Sequence, residues 1–230
     1  VSESPSAVRE SLTAQRIVQA ATELFMQRGY RAVAISDIIT AAQVTKPTLY
    51  YYFRDKQELF VQMGLQTLEE LGSRLSSALT APLTFDQRLV LMAAALIDSR
   101  HGDMRMMRHE MAEHLTEPQQ QLLGAAFYRL LFAPLTALMV EGLQSGRLQP
   151  GRPPAMAATL FLSLCEAFTE LSPQGPLMRM AAAAGRPSQL PAPDAAHLVV
   201  FFLSGAGASV AAAEASAAAW SITKDESEHA

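Results

Sequence analysis

Apolar residues recur at three- and four-residue intervals through most of this 230-residue chain, and no stretch alternates apolar with polar residues as a strand would. The spacing predicts an all-α protein. A first amphipathic helix spans residues 9–28, where Leu12, Ile17, Ala20, Ala21, Leu24 and Phe25 repeat at helical intervals, and Gly29 ends it. Residues 1–8 read as a flexible polar arm. Residues 30–34 form a short link that packs the first helix onto the next elements, with Arg31 in reach of a phosphate. In the following segment, SDIITAAQVTKPTLYYYFRDK, Ile38, Ile39 and Ala42 stripe a short helix, Val44 sits in a turn, and Leu49 and Phe53 lie four apart on a second short helix.

At about 100° per residue, Leu49 and Phe53 share one side of that second helix, and Tyr51 lies almost opposite, flanked by Pro47 and Thr48. Tyr50 and Tyr52 fall on the shoulders. Consecutive tyrosines cannot all point inward on a helix, and an exposed aromatic surface asks for a partner. The outward face carries Lys46, Pro47, Thr48 and Tyr51 and no acidic side chain, as suits a helix entering the DNA major groove. Thr45 is a good N-cap, and Pro47 favours a first-turn position, so the helix starts at Lys46 or at Pro47. Thr45, Tyr50, Tyr52 and Lys56 are assigned to phosphates, with half-buried packing as the other reading of Tyr50 and Tyr52. Lys46, Pro47, Thr48 and Tyr51 are assigned to bases.

TKPTLYYYF followed by RDKQELF resembles the signature of the TetR family of bacterial helix-turn-helix transcription regulators, and the likeness covers about residues 10–60. It implies an N-terminal three-helix DNA-binding domain joined by a long helix to a C-terminal helical domain for ligand binding and dimerisation. Two positions depart from the family pattern. Gln43 stands where glycine is usual before the valine, and if that residue is left-handed it costs about 1 kcal/mol. Ala34 stands where a threonine often caps the helix, which leaves Ser36 as a cap for a helix starting two residues later.

Residues 55–79 have the spacing of one long helix, which Gly64 and Gly72 would soften. Further helices are predicted at about 84–100, 103–115, 117–145, 153–171, 176–184 and 194–213, separated by Gly- and Pro-containing punctuation. Pro134 should kink the helix at 117–145. The domains are accordingly a flexible arm at 1–8, a DNA-binding domain at 9–56, a regulatory domain at 57–220 and a disordered tail at 221–230. Residues 198–213 are uncharged but shorter than the roughly 20 residues a membrane span needs, so they read as a buried helix and not as a membrane segment. The helices at 153–171 and 194–213 are more apolar than one small domain can cover. In the resembling family, helices in these positions pair two subunits, and a homodimer would present two recognition helices to a palindromic operator.

Composition adds three things. Half of the residues are apolar and 17% are charged, enough for a large core. The net charge of −4 is uneven: residues 28–56 carry five basic against two acidic residues, a net +3, and residues 61–230 carry 11 against 16, a net −5. A basic tip on an acidic body points to docking through one end. The lone Cys165 cannot form an internal disulfide and reads as a core residue, and the N-terminus lacks the pattern of a signal peptide, so a cytoplasmic protein, nucleoid-associated when bound to DNA, is expected.

The remaining candidate chemistry is His109-Glu110-x-x-Glu113-His114. It resembles a zinc-protease motif but has Glu113 where that motif needs histidine. Methionines crowd the same helix, which suits an adaptable apolar binding surface. Arg105, Arg108, His109, Met111 and Phe127 are therefore assigned to a ligand pocket for a small apolar or aromatic effector. No cofactor, metal site or catalytic constellation is assigned. The reading is a ligand-responsive dimeric transcription regulator, most simply a repressor released by its effector. The alternatives are a regulator that needs its ligand to bind DNA, an activator, and, from another class, a helical metal-dependent hydrolase or ligand carrier.

Overall fold

The computed structural model describes residues 5–97, 104–151, 153–171, 176–183 and 194–205. Among these every regular element is a helix. Helix α1 is Pro5–Ala32, α2 Ile35–Ala42, α3 Lys46–Tyr52, α4 Lys56–Thr80, α5 Phe85–Ile97 and α6 Met104–His114. Helix α7 is Glu117–Phe127, followed by a π turn at Tyr128–Phe132 and by α8 Ala133–Gln144, α9 Pro154–Glu170, α10 Pro176–Ala183 and α11 Ala195–Ser204. Residues 5–8, expected in the arm, are the start of α1. The expected tail at 221–230 and residues 206–213 of the last predicted helix lie outside the described residues.

Helix α1 breaks where glycine was expected to end it. Gly29 has φ 77° and ψ 163°, a conformation that costs any side chain-bearing residue heavily. Its neighbour Tyr30 then turns into a cluster with Phe25 and Phe60, with ring centroids 5.6 and 5.0 Å away. Ile17 and Ala21 of α1, Ile38 of α2, Leu49 of α3 and Leu59 of α4 are all fully buried, so the short helices are held by the stripes their spacing predicts.

The two departures in the helix-turn-helix resolve differently. Gln43 is left-handed, with φ 52° and ψ 47°, and its N–H and that of Val44 close the end of α2 onto Thr40 and Ile39 carbonyls. Ala34 is the N-cap of α2, not Ser36. The Asp37 carboxylate accepts from the Ala34 N–H at 2.9 Å, while no side chain at 34 returns a bond to the first turn. Gln43→Gly and Ala34→Ser are therefore each expected to stabilise the protein by about 1 kcal/mol. Thermal melting of both single variants checks this; an unchanged or lower midpoint would count against the assigned strain.

Helix α4 runs unbroken, with Leu59, Phe60, Met63, Leu68, Leu71, Leu75 and Ala78 in one buried stripe. Its glycines lie where neighbouring side chains pack closely. A Cβ on Gly64 would stand 3.0 Å from Leu123 and Met111 side-chain atoms, and one on Gly72 would stand 3.0 Å from Leu130 Cβ and 3.3 Å from its carbonyl oxygen. They let neighbouring helices approach closely.

The interruption expected at Pro134 appears one turn earlier. Pro134 has no N–H for the Leu130 carbonyl and its ring crowds that group, so the preceding turn opens into the π turn at Tyr128–Phe132. The run Glu117–Gln144 is long and apolar enough to cross a membrane by length and composition. Yet Leu123, Ala126, Leu131, Leu135, Leu138 and Met139 of this run lie in the core.

Around this axis, α5 packs on α4 and α11, and α9 on α8 and α5. Cys165 of α9 is buried at 2% exposure, and burial pushes its thiol up to about 12. At pH 8 it stays protonated, so a thiolate-specific reagent is expected to label the native protein slowly and the denatured protein fast. Rapid labelling of native protein would overturn that placement.

Candidate functional site

The outward face of α3 is set by its two ends. Thr45 caps it: its hydroxyl accepts from the Thr48 N–H at 3.3 Å and meets the Thr48 hydroxyl at 2.7 Å. The helix starts at Lys46 with Pro47 as its second residue, one of the two expected starts. At the other end the Phe53 N–H closes on the Leu49 carbonyl at 2.9 Å, and the Asp55 carboxylate caps α4 by accepting from the Glu58 N–H at 2.8 Å. With Leu49 and Phe53 buried, Thr45, Lys46, Pro47, Tyr50 and Tyr51 are exposed and Thr48 is half-buried. Tyr51 is 71% exposed, the most outward of the three tyrosines. Tyr52 is half-buried, its ring edge-on to Tyr51 at 4.9 Å, so its packing reading fits better than free projection.

Lys56 is placed differently from its expected role. Its ammonium lies 4.1 Å from the Tyr30 ring centroid and 5.9 Å from that of Phe25. Partial burial lowers its pKa, against the opposing pull of Glu110 and Asp37. The ammonium is thus held over an aromatic face inside this junction.

The junction also receives α6. The His114 ring stacks on Tyr30 at 4.8 Å, and its backbone carbonyl accepts from Gln57 Nε2 of α4 at 2.6 Å. Glu110 faces His114 at 3.2 Å and lies against Gly29, where a Cβ would come within 2.9 Å of its carboxylate oxygen. His109, by contrast, is exposed and 3.9 Å from Glu113. The two i, i+4 pairs thus do share helix faces, and the described residues contain no group of three His, Cys, Asp or Glu that could hold a metal.

A cavity of about 280 Å³ opens between α4, α6 and α7, lined by Leu68, Arg108, Met111, Ala112, Gln120, Leu123, Gly124 and Phe127. It gathers three of the five expected ligand residues: Arg108, Met111 and Phe127. His109 is not among the lining residues, because it sits on the outer face of α6. The side chain of Arg105 lies outside the described residues. The sequence reading missed Leu68, Ala112, Gln120, Leu123 and Gly124. A mid-helix glycine such as Gly124 was the one available signal, since a Cβ there would meet nothing within 4 Å.

Residues 17–63, which hold the buried stripes, the turn and the exposed tyrosines, match the family model described as bacterial regulatory proteins, tetR family. This chain is a transcriptional regulator of the TetR family. It is 32% identical over 105 residues to the transcriptional activator FasR of Mycolicibacterium smegmatis, a match covering 45% of this chain and 48% of that protein. It is 25% identical over 170 residues to the transcriptional repressor DhaR of a Mycobacterium species, covering 72% and 81%. The fold matches that of the regulator FadR from Bacillus subtilis, solved in complex with stearoyl-CoA, with a TM-score of 0.62 at 16% identity over 83% of this chain and 98% of that one. As a TetR-family regulator the chain is not an enzyme, and the hydrolase alternative falls.

Proposed function

We propose that this TetR-family regulator is a cytoplasmic homodimeric repressor that binds a palindromic operator through α3 and leaves it when a small, mainly apolar molecule enters the α4–α6–α7 cavity. One observation carries the reading: α6 lines the cavity with Arg108, Met111 and Ala112 and, one turn on, presses His114 onto Tyr30 at the root of the DNA-binding helices. A ligand that displaces α6 has a direct mechanical route to α3, provided it binds one arrangement better than the other. Lys46, Pro47, Thr48 and Tyr51 read bases, and Thr45 and Tyr50 contact phosphates. Dimerisation is supported by an exposed apolar surface on α9 and α11, where Met156, Leu160, Val200 and Phe201 are each at least 45% exposed. The domain division of an N-terminal DNA-binding unit through residue 56 and a regulatory unit after it belongs to the same reading.

A second reading, an activator, has the likeness to the transcriptional activator FasR behind it. Selection of bound duplexes from random DNA by the purified protein tests the proposal. An enriched palindrome supports it, and a reporter carrying that palindrome in front of a promoter separates repression from activation. Enrichment of no sequence, with and without cell extract as a ligand source, would sink it.

A further inference from the structure

The cavity is apolar except at two places. Gln120 Nε2 is committed to carbonyls at the end of α6, 2.9 Å from Leu115 O and 3.4 Å from Ala112 O. Arg108 is the charged residue of the lining. Its guanidinium forks onto Glu166 of α9, one N–H donating to Oε2 at 3.0 Å and another to Oε1. Both side chains are partly exposed, 54% and 33%, so Glu166 can turn to solvent at small cost.

We propose that the effector is an amphiphile with one carboxylate head, and that this head takes Arg108 from Glu166. The inference rests on the effector-site reading above. A neutral head would leave the ion pair closed and gain no charge-assisted bond, and a cationic head would be repelled by the Arg108 guanidinium. A carboxylate has the planar two-oxygen geometry that already satisfies the guanidinium, so the exchange is like for like. The charge-assisted bond more than offsets desolvation of the head, and burial of the tail against Leu68, Met111, Leu123 and Phe127 adds to it. The size limits the tail: the space is nearly twice the roughly 150 Å³ that accepts benzene, enough for about ten carbons. Exchange also removes this ion pair between α6 and α9, and α6 is the helix that bears His114 on Tyr30. Head-group capture and the signal to the DNA-binding helices are thereby the same event.

Calorimetric titration of the full chain with decanoate and with decan-1-ol tests this in three variants. In the parent protein decanoate should bind at least tenfold more tightly than the alcohol. Glu166→Gln removes the competitor and should tighten decanoate about fivefold while leaving the alcohol unchanged. Arg108→Gln should reduce decanoate to the level of the alcohol. Gly124→Leu, which fills the cavity from a position where a Cβ meets nothing, should abolish both. Equal binding of the two compounds, or no change in Glu166→Gln, overturns the carboxylate exchange and leaves the cavity as an effector site. If neither compound binds, or if Gly124→Leu binds both normally, the effector-site reading itself fails.

Discussion

A Thr48→Ala, Tyr51→Ala double variant is expected to keep the thermal midpoint of the parent and to lose operator affinity by about 30-fold or more, since each base-reading contact carries about 1–3 kcal/mol. The reason for the unchanged stability is geometric. Tyr51 is 71% exposed and touches the rest of the protein chiefly through the edge of Tyr52. The Thr48 hydroxyl bonds only the exposed Thr45 hydroxyl among the contacts seen, and the N–H that Thr45 caps is retained in alanine. Surface changes of this kind usually move stability by less than about 0.5 kcal/mol. Fluorescence anisotropy on the selected operator, beside circular-dichroism melting, measures both quantities. Full operator affinity in the double variant would remove α3 as the reading helix.

Leu49→Ala should behave in the opposite way. Leu49 is fully buried between the short helices, on the face opposite Tyr51. Truncating such a leucine costs about 2–5 kcal/mol, which for a chain of this size lowers the melting midpoint by roughly 5–15 °C. Helix α3 has seven residues and is secured by Leu49 and Phe53, so little else holds it in place. DNA binding falls as well, but only because the folded helix is less populated. A stabilising osmolyte should therefore restore operator binding to Leu49→Ala and not to the Tyr51 variant. If Leu49→Ala melts like the parent, the apolar seam assigned to this motif is not what holds it.

The contrast between these two residues was legible before any coordinates, because a helix of known period leaves few choices for seven residues. Helical periodicity placed Ile38, Ala42, Leu49 and Phe53 inward, and the missing glycine at position 43 raised the left-handed conformation as a condition, which the backbone there meets. What was not legible is what depends on residues far apart in the chain. The Tyr30 ring beneath Lys56 was one such feature, because nothing local in the sequence shows it. Gly64 and Gly72 looked like soft points because the helices that need their missing side chains lie some sixty residues away. His114 was noticed for its spacing from Glu110, which it does face, but its stacking on Tyr30 could not be read from that spacing. The cavity was half legible for the same reason: its α6 wall has a composition that stands out, and its α4 wall is an ordinary core stripe.

The π turn at Tyr128–Phe132 has a consequence for chain length. The buried positions of this long helix run Leu123, Ala126, Leu131, Leu135, Leu138, Met139, with a step of five between Ala126 and Leu131 where an α-helix permits three or four. The wider turn absorbs that surplus residue, so both flanks face the same core. Excising one residue there would leave an evenly spaced stripe, whereas the same excision in α4 would rotate every later position by about 100°. Loss of one residue is thus cheap at this point and ruinous a helix away.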